Sequence, residues 1–181
     1  MIVHQNENLP FPVLTNSTYE LSAKIASGMV NDKKVALPAD NSLQRFVKAC
    51  KMLNKLQVEN IKVPLTDYAF TILDNVSQGN FTKWSIVYDI NNKEIFFKTA
   101  ANRNIRKLRF AGFDFKCSTA YKMYDMEQDG AGEITGQFIK ADKNIQRRSL
   151  EKAIKESADY VKIGEASKER MLTYEDAVKC K

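Results

Sequence analysis

The sequence predicts an α+β domain in which two consecutive helices precede a small antiparallel sheet. Apolar residues recur at helical spacing in two neighbouring segments, residues 43–56 and 65–76. β-Branched and aromatic residues then dominate residues 82–89 and 94–99, as is typical of strands. The chain has 181 residues, enough for one hydrophobic core, so we treat residues 1–181 as a single domain.

The beginning of the chain is predicted to be extended and to lead into a first helix. Residues 1–4 and residues 12–15 are two short apolar segments, and a polar stretch containing proline separates them. Residues 19–29 have helical character and end near Gly28. Asn16 is therefore expected in a turn between a short strand and a helix.

Two amphipathic helices are the clearest elements of the sequence. Asp40, Asn41 and Ser42 form a cluster of N-cap residues, whose side-chain oxygens accept the first amide hydrogens of a helix. Pro64 is expected near the first turn of the second helix. The first apolar stripe consists of Leu43, Phe46, Val47, Cys50, Leu53 and Leu56. The second consists of Leu65, Tyr68, Ala69, Ile72, Leu73 and Val76.

The middle of the chain predicts three antiparallel strands that follow one another. They are residues 82–89, 94–99 and 105–110, and the pair Asn91-Asn92 suits the tight turn between the first two. Trp84 is expected to pack in the core or the sheet rather than to contact a substrate.

The last third of the chain is predicted to be a loop followed by a helix. Residues 112–136 show no hydrophobic period, which indicates mostly loop. Asp142 is expected to cap a final long helix that ends near Gly164, and residues 174–179 to add one more turn.

The charge pattern limits the kinds of partner. The formal net charge is +6, and Lys and Arg are densest in residues 103–109 and 140–148. We interpret both runs as solvated faces, because no stacking-aromatic signature accompanies them. No apolar run approaches the roughly 20 residues that span a bilayer. We therefore expect neither nucleic acid nor a membrane span, and a basic nucleic-acid-binding domain around residues 103–109 stays a second alternative.

Cysteine and histidine usage argues against metal and triad chemistry. Cys50, Cys117 and Cys180 are widely spaced and form no CxxC pair, which disfavours a zinc site and a disulfide framework. Cys50 lies on an apolar stripe and is predicted to be a core residue. His4 is the single histidine, so a Ser/His/Asp or Cys/His triad would have to use it. We expect no metal and no cofactor.

Three segments occur in an order and at intervals typical of one enzyme family. They are residues 13–17, residues 37–40 with 45–49, and the strand pair 81–89 and 95–99 followed by Asn102 and Arg106. This set resembles the choloylglycine hydrolase family, which includes conjugated bile salt hydrolases and penicillin V acylases. The resemblance covers residues 1–116, and residues 117–181 are loop and C-terminal helix. Thr18 and Ala39 depart from it, since many members have proline and glycine there.

The resemblance implies an N-terminal-nucleophile amidase that hydrolyses a linear amide C–N bond. Its fold would be an αββα sandwich of antiparallel sheets and packed helices. Asn16 would then belong to the oxyanion hole, and Arg45 would lie beside the nucleophile. Tyr19 and Phe46 are weaker candidates for the substrate pocket, and core packing is the favoured alternative for both.

The resemblance also implies that an essential part is missing. In the family the matching residues lie in the second half of the chain, and the nucleophile is an N-terminal cysteine, whereas this chain begins Met1-Ile2-Val3. The chain is therefore interpreted as the C-terminal half of the fold, inactive alone, with the N-terminal half as its partner.

The remaining expectations concern the substrate, the assembly and the compartment. The implied substrate is a small amide of the conjugated bile salt or penicillin V type. Homo-oligomers are common in the family, and the compartment, cytoplasm or periplasm, is undetermined. The first alternative function is a noncatalytic remnant or binding module of the same fold.

Overall fold

The computed structural model describes residues 9–31, 36–60 and 62–177. The predictions made for residues 1–4, including His4, and for Cys180 lie outside these ranges. The helices are α1 (Tyr19–Met29), α2 (Asn41–Val58), α3 (Leu65–Asn75), α4 (Lys143–Glu156), α5 (Glu165–Leu172) and α6 (Tyr174–Ala177). The strands are β1 (Trp84–Asp89), β2 (Glu94–Thr99), β3 (Arg106–Arg109), β4 (Lys122–Met123), β5 (Gly132–Glu133) and β6 (Ile139–Lys140).

The first three helices confirm the sequence prediction. Asp40 is the N-cap of α2, and its Oδ1 accepts the Leu43 N–H at 2.9 Å. Pro64 is the N-cap of α3. The Tyr68 hydroxyl donates to the Met52 carbonyl at 2.7 Å, which ties α3 to α2. α2 therefore begins at a capping carboxylate and α3 at a proline, and both residue types favour the start of a helix.

The buried hydrophobic cluster lies between α1 and α2. Ala26, Phe46, Val47 and Cys50 form its centre. The ring of Phe46 meets those of Phe11 and Tyr19 edge to face, each with 6.1 Å between ring centroids. Burying an aromatic side chain of this size contributes about 2–3 kcal/mol, so this cluster anchors the N-terminal segment on the helices.

The segment before α1 differs from the prediction. Residues 11–15 form no strand with the described residues. Phe11 and Val13 nevertheless pack against the hydrophobic cluster, while Pro12 and Leu14 are exposed. The short apolar run that suggested a strand is thus an unpaired segment that packs on the helices.

The three-stranded meander is confirmed. β1 pairs with β2 in an antiparallel register from Trp84↔Thr99 to Asp89↔Glu94, and β2 pairs antiparallel with β3. In the connecting turn, Asp89 accepts hydrogen bonds from the backbone and side chain of Asn92. The positive φ of 54° falls on Lys93 rather than on the asparagines.

The segment predicted to be loop contains short strands. β5 adds a fourth strand that runs parallel to β3, and β4 pairs with β6 in a separate antiparallel ladder. These strands have two residues each, which is too short to carry a hydrophobic period in the sequence.

The four-stranded sheet lies between α3 and the segment that follows β3. On one face, Lys98 forms an ion pair with Asp74 at 2.7 Å and lies over the Phe70 ring. On the other face, the Phe97 ring meets Tyr124, which stacks on Phe138. The sheet thus has helix on one side and an aromatic loop layer on the other.

Two further predictions are corrected by the structure. Gly164 does not end α4, which stops at Glu156; it is the N-cap of α5. Trp84 is 58% exposed rather than buried, because it lies at the start of an edge strand. Among the described helices, none combines the length and the apolar character needed to cross a bilayer.

Arg106 is a fully buried cation in β3. Its guanidinium donates to the carbonyls of Met126, Gln128 and Asn102 and lies 4.6 Å from the centroid of the Phe97 ring. No carboxylate in the described ranges pairs with it. Backbone carbonyls therefore replace the hydration of its two Nη groups, and the side chain holds residues 126–128 against the sheet.

Replacing this side chain should test its structural role. Arg106→Ala leaves the Met126 carbonyl without a donor and a cavity beside the Phe97 ring, and we expect the free energy of unfolding to fall by about 3 kcal/mol in urea denaturation. Arg103→Ala removes an exposed arginine three residues away and should change the free energy of unfolding by less than about 0.5 kcal/mol. Equal effects of the two substitutions would contradict a structural role for Arg106.

Candidate active site

The turn that carries Asn16 is held by the first turn of α2. The Ser17 N–H donates to Ser42 Oγ at 2.8 Å, and the Ser42 hydroxyl donates to Thr15 Oγ1 at 3.1 Å. One side chain therefore contacts the residues on both sides of Asn16. Because Ser42 is fixed by the start of the helix, the position of the turn follows from where α2 begins.

The side chains of Asn16 and Arg45 are in contact. Arg45 Nη2 donates to Asn16 Oδ1 at 3.1 Å, and Arg45 Nε donates to Asn41 Oδ1 at 2.9 Å. The same Asn41 oxygen accepts a second hydrogen bond, from Gln78 Nε2, also at 2.9 Å. This chain of hydrogen bonds orients the guanidinium.

The contact determines how the Asn16 amide is oriented. Arginine has only donors, so the asparagine must present its oxygen to Arg45 and its Nδ2 group elsewhere. Within the described ranges Asn16 Nδ2 donates to no side chain or carbonyl. Asn16 is also exposed. The arrangement thus offers an available N–H donor beside a positive charge, which is suited to an anionic oxygen or a developing oxyanion.

The charge of Arg45 is not neutralised locally. No carboxylate among residues 9–31, 36–60 and 62–177 forms an ion pair with it. Asp40, the nearest acidic residue in the sequence, is used as the cap of α2. The guanidinium is therefore available to a negatively charged group.

The weaker pocket candidates lie in the core. Phe46 is fully buried in the hydrophobic cluster. The Tyr19 hydroxyl accepts the Phe11 N–H and donates to the Phe11 carbonyl, both at 3.0 Å. Both side chains thus have the packing role that the sequence analysis favoured, and a substrate-lining role stays an untested prediction.

Three contributors to the site were not assigned a role there from the sequence. Asn41 and Ser42 were treated only as capping residues, although Asn41 lies four residues before Arg45 and so on the same helical face. Gln78 is separated from Asn41 by 37 residues and carries no local signal.

The described cysteines are not activated thiols. Burial raises the pKa of the Cys50 thiol from 9.0 to about 12. Cys117 is disulfide-bonded, contrary to the expectation from the cysteine spacing. No cluster of three or more metal-ligating His, Cys, Asp or Glu side chains occurs in the described part of the chain.

Layers of helix and sheet, with β1, β2 and β3 antiparallel, define an α+β fold. The structure is similar to that of penicillin V acylase from Agrobacterium tumefaciens, with a TM-score of 0.56 and 21% sequence identity. The match covers 71% of this chain and 47% of that chain, so this chain spans about half the length of the acylase. Neither the protein-family models nor the curated protein sequences contain a match.

The two hydrogen bonds by which Ser42 holds the Asn16 turn can be tested directly. Ser42→Ala removes both hydrogen bonds to the Asn16 turn, and we expect a loss of about 1 kcal/mol in unfolding free energy. The Arg45 Nε–H resonance should shift, because the turn no longer holds Asn16 in place. Ser27→Ala is the control, since that exposed hydroxyl donates only within α1. An unchanged Arg45 resonance in Ser42→Ala would contradict the claim that Ser42 holds Asn16 in place.

Burial of Cys50 predicts a dependence of stability on pH. The folded pKa is raised, so the unfolded state loses this proton first, and the contribution is fully present below about pH 9 and lost as pH rises toward 12. The unfolding free energy should fall by up to about 1.4 kcal/mol per pH unit from this group. Cys50→Ala should show a shallower decline over the same range. Parallel curves for the two proteins would contradict the prediction.

Proposed function

We propose that this chain is the C-terminal half of a hydrolase of linear amide C–N bonds, of the choloylglycine hydrolase type. It would supply Asn16 to the oxyanion hole and Arg45 beside the nucleophile. The observation that carries the proposal is the contact between these two side chains, which leaves the Asn16 Nδ2 group available. The likeness of the fold to a penicillin V acylase supports it.

In the proposed reaction the nucleophile is an N-terminal cysteine outside this chain. Its thiolate attacks the amide carbonyl carbon, forming a C–S bond, and its own α-amine takes the thiol proton. The carbonyl oxygen becomes an oxyanion that accepts a hydrogen bond from Asn16 Nδ2. The C–N bond then breaks, the leaving nitrogen receives the proton, and water hydrolyses the thioester.

Each residue of this chain would have a distinct role. Asn16 would stabilise the transition state, and one such donor is worth about 3 kcal/mol, or roughly a hundredfold in rate. Arg45 would orient Asn16 through its oxygen and favour the thiolate through its charge. Asn41 and Gln78 would position Arg45 without contacting the substrate.

The length of the chain supports a partner for the fold. The chain spans 47% of the acylase, which favours a second polypeptide segment that completes the domain. The substrate would be a small amide of the penicillin V or conjugated bile salt type, and no cofactor takes part.

A noncatalytic remnant or binding module is the competing function. It is favoured by the absence of an activated thiol among the described residues. The nucleic-acid alternative has less support. Arg106 is buried, and Lys107 and Arg109 form ion pairs with Glu94, so three cations of residues 103–109 have partners within the fold.

The first experiment is the intact mass and N-terminal sequence of the protein from its native source, followed by assay with penicillin V. The 181-residue chain alone should be inactive, and an assembly that contains an N-terminal cysteine should be active. In that assembly, Asn16→Ala should lower kcat about a hundredfold with little change in Tm.

The matched control is Asn144→Ala, in the exposed first turn of α4, which should retain full activity. Hydrolysis by the isolated chain would refute the proposed division of the site. A native protein of 20.6 kDa without a cysteine-led partner would favour the binding module.

A further inference from the structure

The free edge of β1 presents a row of backbone hydrogen-bonding groups. Within the described structure β1 has one neighbouring strand, β2. The Ala100 N–H donates to the Lys83 carbonyl at 2.8 Å, so these two residues form a hydrogen-bonded pair. Along an antiparallel ladder such pairs alternate with pairs that do not bond each other. The N–H and C=O groups of Trp84, Ile86 and Tyr88 therefore point away from β2, toward the free edge.

This edge lacks the features that normally protect an edge strand. Residues 84–88 contain no charge and no proline. Trp84 and Tyr88 are 58% and 61% exposed. Natural edge strands usually carry charged residues, prolines or bulges that prevent pairing. The β1 edge is thus suited to receive another strand.

We propose that a second copy of this chain pairs with the β1 edge, antiparallel, about a twofold axis at Ile86. In this register Ile86 faces the partner's Ile86. Trp84 faces the partner's Tyr88, and Lys83 faces the partner's Asp89. The inference is independent of the proposed amidase function.

The sequence of β1 is complementary to itself in this register. The outward-facing groups of the three central positions meet their counterparts and form about six hydrogen bonds between the subunits. Aromatic residues lie opposite each other on both sides of the axis, an arrangement that stabilises antiparallel pairs. The two four-stranded sheets become one continuous sheet, joined by an isologous contact.

Opposite charges close both ends of the proposed contact. Lys83 is exposed, and its ammonium has no carboxylate partner among the described residues. The backbone and side-chain hydrogen bonds from Asn92 hold the pKa of Asp89 below its ordinary value, so that this carboxylate is charged at neutral pH. A register shifted by two residues would lose this pairing, which favours the twofold axis at Ile86.

The decisive measurement is sedimentation equilibrium of the 181-residue chain over a wide concentration range. We expect the mass to rise from 20.6 kDa toward twice that value. Trp84 is the only tryptophan, so its emission should shift to the blue over the same range as it leaves water. A constant mass of 20.6 kDa at all concentrations would overturn the proposal, including the case in which another part of the protein covers this edge.

A charge reversal tests the register. Lys83→Glu places like charges opposite each other at both ends of the contact, so the dimer should weaken at least about tenfold and recover partly in high salt. Lys24→Glu makes the same charge change on the exposed face of α1 and should leave the dimer unchanged. Equal weakening by both variants would overturn the register.

Amide exchange identifies the edge that is used. In the dimer the amides of Trp84, Ile86 and Tyr88 should exchange slowly, and on dilution they should exchange fast. The amides of Ser85 and Val87, which bond to β2, should be slow in both states. A dimer in which the first three amides still exchange fast would use another surface and would overturn the proposal.

Discussion

The start of α2 is the constraint on which the candidate site depends. Asp40 fixes the first turn by capping it, and Ser42 then holds both neighbours of Asn16. Arg45 follows Ser42 by three residues and reaches the same turn. Residues three apart in a helix lie on the same side of it, so Ser42 and Arg45 reach the turn together. The helix cap is thus a determinant of the site geometry as well as of stability.

Two arginines show how the same side chain takes opposite roles in this fold. Arg106 is buried, and backbone carbonyls surround it, so it organises the layer that covers the sheet. Arg45 is partly exposed, and side-chain amides orient it. Arginine serves both purposes because its planar group donates in several fixed directions. The net positive charge therefore does not by itself indicate a polyanion partner, since some of the cations are used within the fold.

The sequence predicted the elements whose signal is local. α1–α3 and the β1–β3 meander have regular periods, N-caps or turn residues, and all were found. β4–β6 were missed, because strands of two residues depend on distant contacts rather than on their own pattern. In the site, Asn16 and Arg45 were singled out by the resemblance, and Asn41 could have been found from its spacing to Arg45. Gln78 could not, because the chain brings it to Asn41 only through the packing of α2 and α3.

The exposure of the candidate site is consistent with its proposed incompleteness. An unpaired guanidinium and an available amide donor are tolerated in water, where solvent satisfies both. In water they also bind an anion weakly, because the solvent screens the charge. A segment that covered the site would exclude water and strengthen both interactions, since the effective dielectric constant falls. Under the proposed function, the same two side chains would therefore have little catalytic value in the isolated chain and would acquire it only when the fold is completed.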